Sequence, residues 1–124
     1  MGAPQHLPQQ VPIEAYGNGG FRFGGMSHRG SLLCLPSGIW GWPVASIETL
    51  DRTALNPVLG LGGQVTFLLL GTGRSVVRPS RDVADAFKEA GLWLEVMDTG
   101  AAARTYNVLL AEGRAIAAAL IAVE

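Results

Sequence analysis

The second half of the chain alternates between the patterns of strands and helices. The run VTFLLL at 65–70 is continuously apolar, which is typical of a strand covered on both faces. The segment RDVADAFKEA at 81–90 then has its apolar residues on one helical face, with Ser80 as candidate N-cap and Gly91 as stop. WLEVM at 93–97 has the pattern of a second strand. If these two strands are parallel neighbours, the helix between them is the crossover connection that such a pair needs.

A second helix and a third strand complete the unit. Asp98 or Thr99 is the candidate N-cap of a helix that extends to about Glu112. Gly113 then ends it. The alanine-rich run AIAAALIAV at 115–123 has helical propensity, but it follows a complete helix and its glycine stop. We predict a strand there, because the preceding pair needs a third strand to complete the layer, and hence a C-terminal β-α-β-α-β unit.

The first half consists of short segments separated by glycine. Between residues 13 and 42, apolar or alternating runs are interrupted by glycines and by the Asn18-Gly19 step. Such residues supply the positive φ angles of tight turns, so we predict an N-terminal β-meander of three or four short antiparallel strands. VASIETL at 44–50 is a candidate further strand, and the segment at 51–61 has room for one short helix. The fold class is therefore α/β.

Length and the N-terminal pattern predict a single domain. The 124 residues are enough for one buried core, which we assign to residues 12–124, after a disordered tail at 1–11. That tail has neither the pattern of a secretory signal nor that of a transit peptide. The longest purely apolar stretch, 115–123, is too short to span a membrane. The expected location is the cytoplasm.

Charge and composition exclude one class of partner and favour another. Nine basic and ten acidic residues are scattered along the chain, and the isoelectric point is about 6.1. Nucleic-acid binding is excluded because it needs a clustered basic face. Charged residues make up only 15% of the chain, against about 25% in an average globular domain. Exposed apolar surface is therefore expected, and with it a protein partner or a second copy in a homo-oligomer.

The chain offers no obvious set of catalytic residues. Cys34, the only cysteine, lies in the apolar run SLLCL, where a buried and inert thiol is expected. His28 lies in a glycine-rich hairpin and has no carboxylate beside it in sequence. No serine occupies a G-x-S-x-G elbow. We expect no catalytic residues, no metal and no cofactor.

One ligand site is nevertheless conceivable, at the carboxyl ends of two strands. If 65–70 and 93–97 are parallel neighbours, the residues that follow them lie at one sheet edge, where open α/β sheets bind ligands. Polar residues one turn apart on the second helix could reach the same crevice. The candidates for binding an anionic small molecule are Gly71, Thr72, Gly73, Asp98, Thr99, Arg104 and Asn107. The alternative is structural: turns, a helix cap and surface side chains.

Two tryptophans are candidates for a partner interface. Trp40 and Trp42 alternate on a predicted strand and therefore point to one face. Core packing is the default role for such residues. The functional alternative is a patch for a protein partner, because tryptophan is enriched at interface hot spots.

Several of these motifs together resemble a known family. The residues are GNGGF at 17–21, Gly30-Ser31, GTG at 71–73, MDT at 97–99, RTYNVLLAEGR at 104–114 and AAAL at 117–120. This pattern resembles the family of mitochondrial respiratory complex I assembly factor 3 and its bacterial and archaeal homologues. The spacing from MDT to RTYN is its most specific part. The resemblance extends from Ile13 to the C-terminus.

The resemblance implies a fold and a kind of activity. The fold would be a three-layer α/β arrangement with a central mixed β-sheet, and the alanine-rich segment would be a strand. The relatives resemble scaffolding or assembly proteins that act beside the inner membrane with protein partners, and no enzymatic activity is implied. The expected function is therefore a non-enzymatic interaction or assembly role in the biogenesis of complex I or another membrane complex, with membrane association only through a partner. Relatives commonly have cysteine where this chain has Ala103, so a thiol-based role does not carry over.

Overall fold

The computed structural model describes residues 5–124 as nine strands and three α-helices. The strands are β1 Gln5–Leu7, β2 Ile13–Gly17, β3 Gly20–Phe23, β4 Met26–Arg29, β5 Ser31–Leu35, β6 Gly38–Trp42, β7 Phe67–Gly71, β8 Trp93–Met97 and β9 Ile116–Leu120. The helices are α1 Asn56–Leu59, α2 Arg81–Ala90 and α3 Thr99–Ala111. Within this range, no helix is long and apolar enough to cross a membrane.

The strands form one large sheet and one small sheet. The large sheet has six strands in the order β1-β6-β5-β9-β7-β8, and the small one has the order β2-β3-β4. β7 pairs in parallel with both β8 and β9, whereas β9 pairs antiparallel with β5. The predicted mixed sheet and C-terminal β-α-β-α-β unit are therefore confirmed.

The alanine-rich segment is the strand β9, as predicted. All five of its residues are buried, because it lies between β5 and β7 in the middle of the sheet. Its alanines have helical propensity, but backbone pairing on both sides and cover on both faces favour the strand. Tertiary context outweighs local preference here.

The large sheet has a hydrophobic core on each face. Leu68 and Leu70 pack with Val83 and Phe87 of α2 on one side. Leu69 packs on the other side, with α3 and the small sheet. The three layers are therefore α2, the large sheet, and α3 together with the small sheet. This arrangement confirms the predicted α/β architecture.

The predicted β-meander is present, but it does not include all the strands of the first half of the chain. β2, β3 and β4 form the small antiparallel sheet, whereas β5 and β6 leave it and join the large one. Five strands therefore occupy residues 13–42, where three or four were predicted. The residues of β5 are all buried, whereas those of β4 are largely exposed. Turn residues mark where strands end, but they do not specify which sheet a strand joins.

Two local predictions were wrong. The segment at 44–50 is not a strand: it contains a 3-10 turn at Ile47–Thr49, and its ends, Val44 and Leu50, are buried in the core. The tail predicted at 1–11 is ordered in part, because Gln5–Leu7 pairs with the outer edge of β6. Without β1, this edge of β6 would have unpaired backbone groups. Hydrogen bonds to those groups stabilise a short strand whose residues have little intrinsic preference for strand structure. Residues 1–4 of the predicted tail lie outside the described residues.

Candidate functional site

The two predicted strand ends meet at one edge of the large sheet. The backbone N–H of Thr99 donates to the carbonyl of Gly73 at 2.8 Å, and that of Thr72 donates to the carbonyl of Met97 at 2.9 Å. The loop after β7 and the start of α3 are therefore neighbours, as parallel pairing of β7 and β8 requires.

The hydroxyl of Thr99 joins the start of α3 to two other backbone segments. It accepts the N–H of Gly73 at 2.9 Å and donates to the carbonyl of Ile121 at 2.7 Å. Thr99 is fully buried. A Cβ at Gly71 would lie 2.9 Å from the Thr99 Cα, which is too close for any side chain. The two strand ends are therefore packed against each other and leave no crevice at this point.

The other polar groups of this edge are also used internally. The Thr72 hydroxyl donates to the carbonyl of Ser75 at 2.6 Å and accepts the N–H of Val77 at 3.1 Å. The Asp98 carboxylate accepts the N–H of Ala101 at 2.9 Å and is the N-cap of α3, as predicted. These contacts shape a loop and begin a helix.

Arg104 and Asn107 do not act together. The Asn107 amide binds both backbone groups of Ile13, accepting its N–H at 2.8 Å and donating to its carbonyl at 2.9 Å. Arg104 is exposed, and its guanidinium makes no hydrogen bond or ion pair with any residue in the range 5–124. The geometry thus gives structural roles to most of the predicted ligand-binding residues and does not support the anionic-ligand crevice.

The candidate interface tryptophans are mainly core residues. Trp42 is only 5% exposed, packs in the core on the α2 side, and donates its Nε1 hydrogen to the carbonyl of Ala54 at 2.9 Å. Trp40 is half-buried against the same core and donates to the Ser37 hydroxyl at 3.0 Å. They do share a face, as predicted, but Trp42 is not available to a partner.

Trp93 is the exposed tryptophan, and no pattern in the sequence predicts its exposure. It begins β8 and is 66% exposed, and its indole N–H donates to the Glu95 carboxylate. An apolar pattern predicts that a residue belongs to a strand, but not that this strand is the outermost one of its sheet. Among the strands that the structure describes, β8 is the last one of the large sheet, so part of its face on the α3 side is left uncovered.

Two grooves flank β8, one on each face of the sheet. The apolar groove, of about 350 Å³, is lined by Phe67, Leu69, Trp93, Glu95, Met97, Thr105 and Leu109. The basic groove, on the face that carries α2, is lined by Val76, Arg78, Pro79, Arg81, Ala84, Asp85, Lys88, Leu94 and Val96. None of the predicted ligand-binding residues lines either groove.

Cys34 and His28 are constrained by burial. Burial raises the pKa of the Cys34 thiol to about 12, against a lesser opposing effect of its hydrogen bond with Tyr106. The pKa of His28 is lowered, first by burial and then by the nearby His6, against a hydrogen bond to the Ser31 carbonyl. The two imidazoles meet with His6 Nε2 2.8 Å from His28 Nδ1. The sequence placed His6 in a tail and therefore missed this pair.

The nature of these groups limits the chemistry available. A thiol held protonated by burial is a poor nucleophile. Among residues 5–124, no group of three or more histidine, cysteine, aspartate and glutamate side chains is arranged to hold a metal ion.

Comparison with known proteins identifies relatives across almost the whole chain. A family model described as "Protein of unknown function (DUF498/DUF598)" matches residues 13–121. An uncharacterized protein of Rhodobacter capsulatus is 39% identical over 111 residues, covering 90% of this chain and 84% of that protein. NADH dehydrogenase (ubiquinone) 1 alpha subcomplex assembly factor 3 of Rattus norvegicus is 32% identical over 115 residues, covering 93% of this chain but 62% of the rat protein. The chain thus spans less than two thirds of that assembly factor.

Solved structures share the fold. An outer membrane protein of Bartonella henselae has a TM-score of 0.91 and 47% identity, with 96% of this chain and 100% of that one covered. The Rpa2829 protein of Rhodopseudomonas palustris has a TM-score of 0.82 and 42% identity, with 100% and 90% covered. The protein MT938, at 14% identity and a TM-score of 0.62, shares the fold alone, over 93% of this chain and 100% of its own.

Proposed function

From the premise that this chain belongs to the family described as "Protein of unknown function (DUF498/DUF598)", we propose that it is a non-enzymatic assembly protein that works by binding protein partners. The relatives named as assembly factor 3 support an assembly-type role at the level of the family. Fold alone does not define function, so the role is argued from these relatives and from the surface of this chain.

The observation that carries the proposal is the extent of the match to the assembly factors. The alignment with the rat protein covers 93% of this chain, so it includes both sheets and all three helices rather than one motif. The polar groups at the two strand ends form hydrogen bonds with the chain's own backbone and hold the fold together, which adds support. The exposed apolar surface at Trp93 lies elsewhere and suits a partner.

A more specific proposal concerns the protein complex that the chain helps to assemble, which is its target, and the cellular compartment in which it acts. The target is NADH dehydrogenase or another membrane complex, in keeping with the names of the relatives. The protein acts in the cytoplasm and reaches the membrane only through its partner. A peripheral role of this kind needs a binding surface and no membrane-spanning segment.

Deleting the gene for this chain in its own organism tests the proposed target complex. We expect assembled NADH dehydrogenase to fall and partly assembled species to accumulate on native gels stained for NADH oxidation. A plasmid copy of the full chain should restore the complex. Normal amounts of assembled enzyme in the deletion strain, with no membrane-complex subunit co-purifying with the tagged chain in mild detergent, would overturn the proposal.

Cell fractionation tests the location separately. The similar Bartonella henselae chain is described as an outer membrane protein, so the fractions to compare are cytosol, inner membrane and outer membrane. We expect the chain in the cytosol, with a smaller part on membranes that a salt wash removes. Recovery mainly in the outer membrane, resistant to salt, would contradict a cytoplasmic role.

A further inference from the structure

β8 is an outermost strand of the large sheet, and its outer backbone groups are unpaired within residues 5–124. Among the strands that the structure describes, β7 is its only partner. The carbonyl of Met97 faces β7, where it accepts the N–H of Thr72. Because backbone groups alternate in direction along a strand, the N–H and C=O groups of Leu94 and Val96 point outward. Such an edge is a template for another strand.

The side chains of β8 give this edge two different faces. Trp93, Glu95 and Met97 face the apolar groove, where Leu109 of α3 completes the lining. Trp93 is two-thirds exposed there, and tryptophan is the residue type most enriched among binding hot spots. One face of any strand added to this edge would therefore contact apolar surface with a single carboxylate at its centre.

The opposite face is positively charged. Leu94 and Val96 point into the basic groove, beside Arg78, Arg81 and Lys88. These three cations make no ion pair within the described residues, and Asp85 is the one carboxylate among the groove's described lining. The groove thus favours negative charge on an incoming strand.

This charge pattern disfavours a second copy of the chain. An antiparallel pair of two β8 strands, joined through Leu94 and Val96, would place Glu95 opposite its own counterpart. A two-fold axis normal to the sheet would also place the two basic grooves on the same side and next to each other. Like charges directly opposite destabilise a strand pair. The edge therefore suits a different molecule with complementary charges.

We propose that the β8 edge binds an extended segment of a partner protein, which adds as a further antiparallel strand of the large sheet. Residues of the segment opposite Leu94 and Val96 are acidic and contact the basic groove. The residues between them contact the apolar groove, with a basic residue opposite Glu95 and apolar residues opposite Trp93 and Met97. This inference rests on the proposed function and specifies how the partner is held.

A designed peptide tests the edge directly. The probe has the sequence EVEKEVE, and its control, KVKEKVK, has every charge reversed. Each is titrated into the full-length isotope-labelled chain, and the backbone amide signals are followed by NMR. We expect EVEKEVE to shift the amides of Leu94 and Val96, and the control to leave them unchanged. No shift with EVEKEVE, equal shifts with both peptides, or shifts confined to other strands would overturn the inference.

Charge variants supply the matched comparison. Arg81→Glu with Lys88→Glu should weaken binding of EVEKEVE at least about tenfold, since attraction becomes repulsion. Arg104→Glu, an exposed site on the other side of the sheet, should leave binding unchanged. Equal weakening by both would contradict a role for the basic groove. Amide shifts of Leu94 and Val96 that grow with protein concentration alone would favour a second copy and overturn the inference.

Co-purification from cells separates this inference from the proposed function. If the wild-type chain retains membrane-complex subunits and the Arg81→Glu, Lys88→Glu variant loses them, both stand. If the folded variant retains them fully, the edge inference fails and the assembly role stands. If the wild-type chain retains none although EVEKEVE binds as expected, the assembly role fails and the binding edge stands.

Discussion

The side-chain amide of Asn107 brackets the backbone of Ile13, accepting its N–H at 2.8 Å and donating to its C=O at 2.9 Å. These are the two bonds that a neighbouring strand would make, so α3 completes the pairing of β2 at this residue. The contact joins residues 94 positions apart and fixes the small sheet against α3. A residue predicted to bind a ligand instead binds the chain itself.

Asn107→Ala should lower the free energy of unfolding by about 1–3 kcal/mol, because it leaves two backbone groups of Ile13 without partners. Urea denaturation followed by circular dichroism measures this. Arg104→Ala, one turn away and exposed, is the matched control and should change stability by less than about 0.5 kcal/mol. Equal stability of both variants would show that the amide contributes nothing.

Thr99→Val should cost about 1–3 kcal/mol, because the N–H of Gly73 and the carbonyl of Ile121 lose their buried partner while the side-chain shape is kept. The same substitution at the exposed Thr66 is the control. Thermal unfolding by calorimetry compares the two. A Thr99→Val protein as stable as the Thr66→Val protein would contradict the proposed cross-link.

Gly71→Ala should destabilise the fold by about 1–3 kcal/mol, because the new Cβ would meet the Thr99 backbone, which cannot move without shifting α3. Gly63→Ala has open space around the new methyl group and should be almost neutral. The midpoints of urea unfolding report the difference. Tolerance of alanine at both positions would mean that the strand ends can separate.

Stability should fall as the pH drops below about 6.5, because the folded state lowers the pKa of His28 relative to its value in the unfolded chain. The fold favours neutral His28, so its stabilising contribution is present above the unfolded-state pKa and is lost as the pH falls through the folded-state pKa. Melting temperatures between about pH 7.5 and 5 test this. His28→Gln should show a flatter profile; the same slope in both proteins would assign the effect to other groups.

Cys34 should resist alkylation in the native protein. Burial raises its pKa to about 12, so almost no thiolate is present or accessible near neutral pH. Labelling by iodoacetamide at about pH 8, followed by intact mass, should be slow in buffer and fast in urea. Equal rates in the two solvents would mean that the β5 region opens readily.

Local pattern accounts for much of the fold. Residue type and position predict the N-cap at Ser80 and the stop at Gly91, and both are present. Of the two candidate caps of α3, Asp98 and Thr99, Asp98 is the cap. These features depend on backbone geometry within a few residues. The sequence could also place Cys34 in a buried strand, because a continuous apolar run needs cover on both faces.

The candidate functional site depends on contacts between distant segments, which the periodicity of apolar residues in the sequence does not predict. Trp42 and Trp93 both lie on apolar strands, yet one is buried and the other is exposed, because β6 is covered by β1 and the core whereas β8 ends the sheet. Likewise, His6 meets His28 only because β1 pairs with β6. Exposure of a strand residue follows from its neighbours in the sheet, which can come from anywhere in the chain.

The sequence by itself determined the alternation of strands and helices, their caps and the buried character of the central strands, because these follow from local backbone preferences and burial. Tertiary structure alone decided that β5 and β6 join the large sheet, that Asn107 binds Ile13, and that β8 is left with an open edge. Those outcomes depend on which distant segments pair, and pairing is decided by the packing of the whole chain.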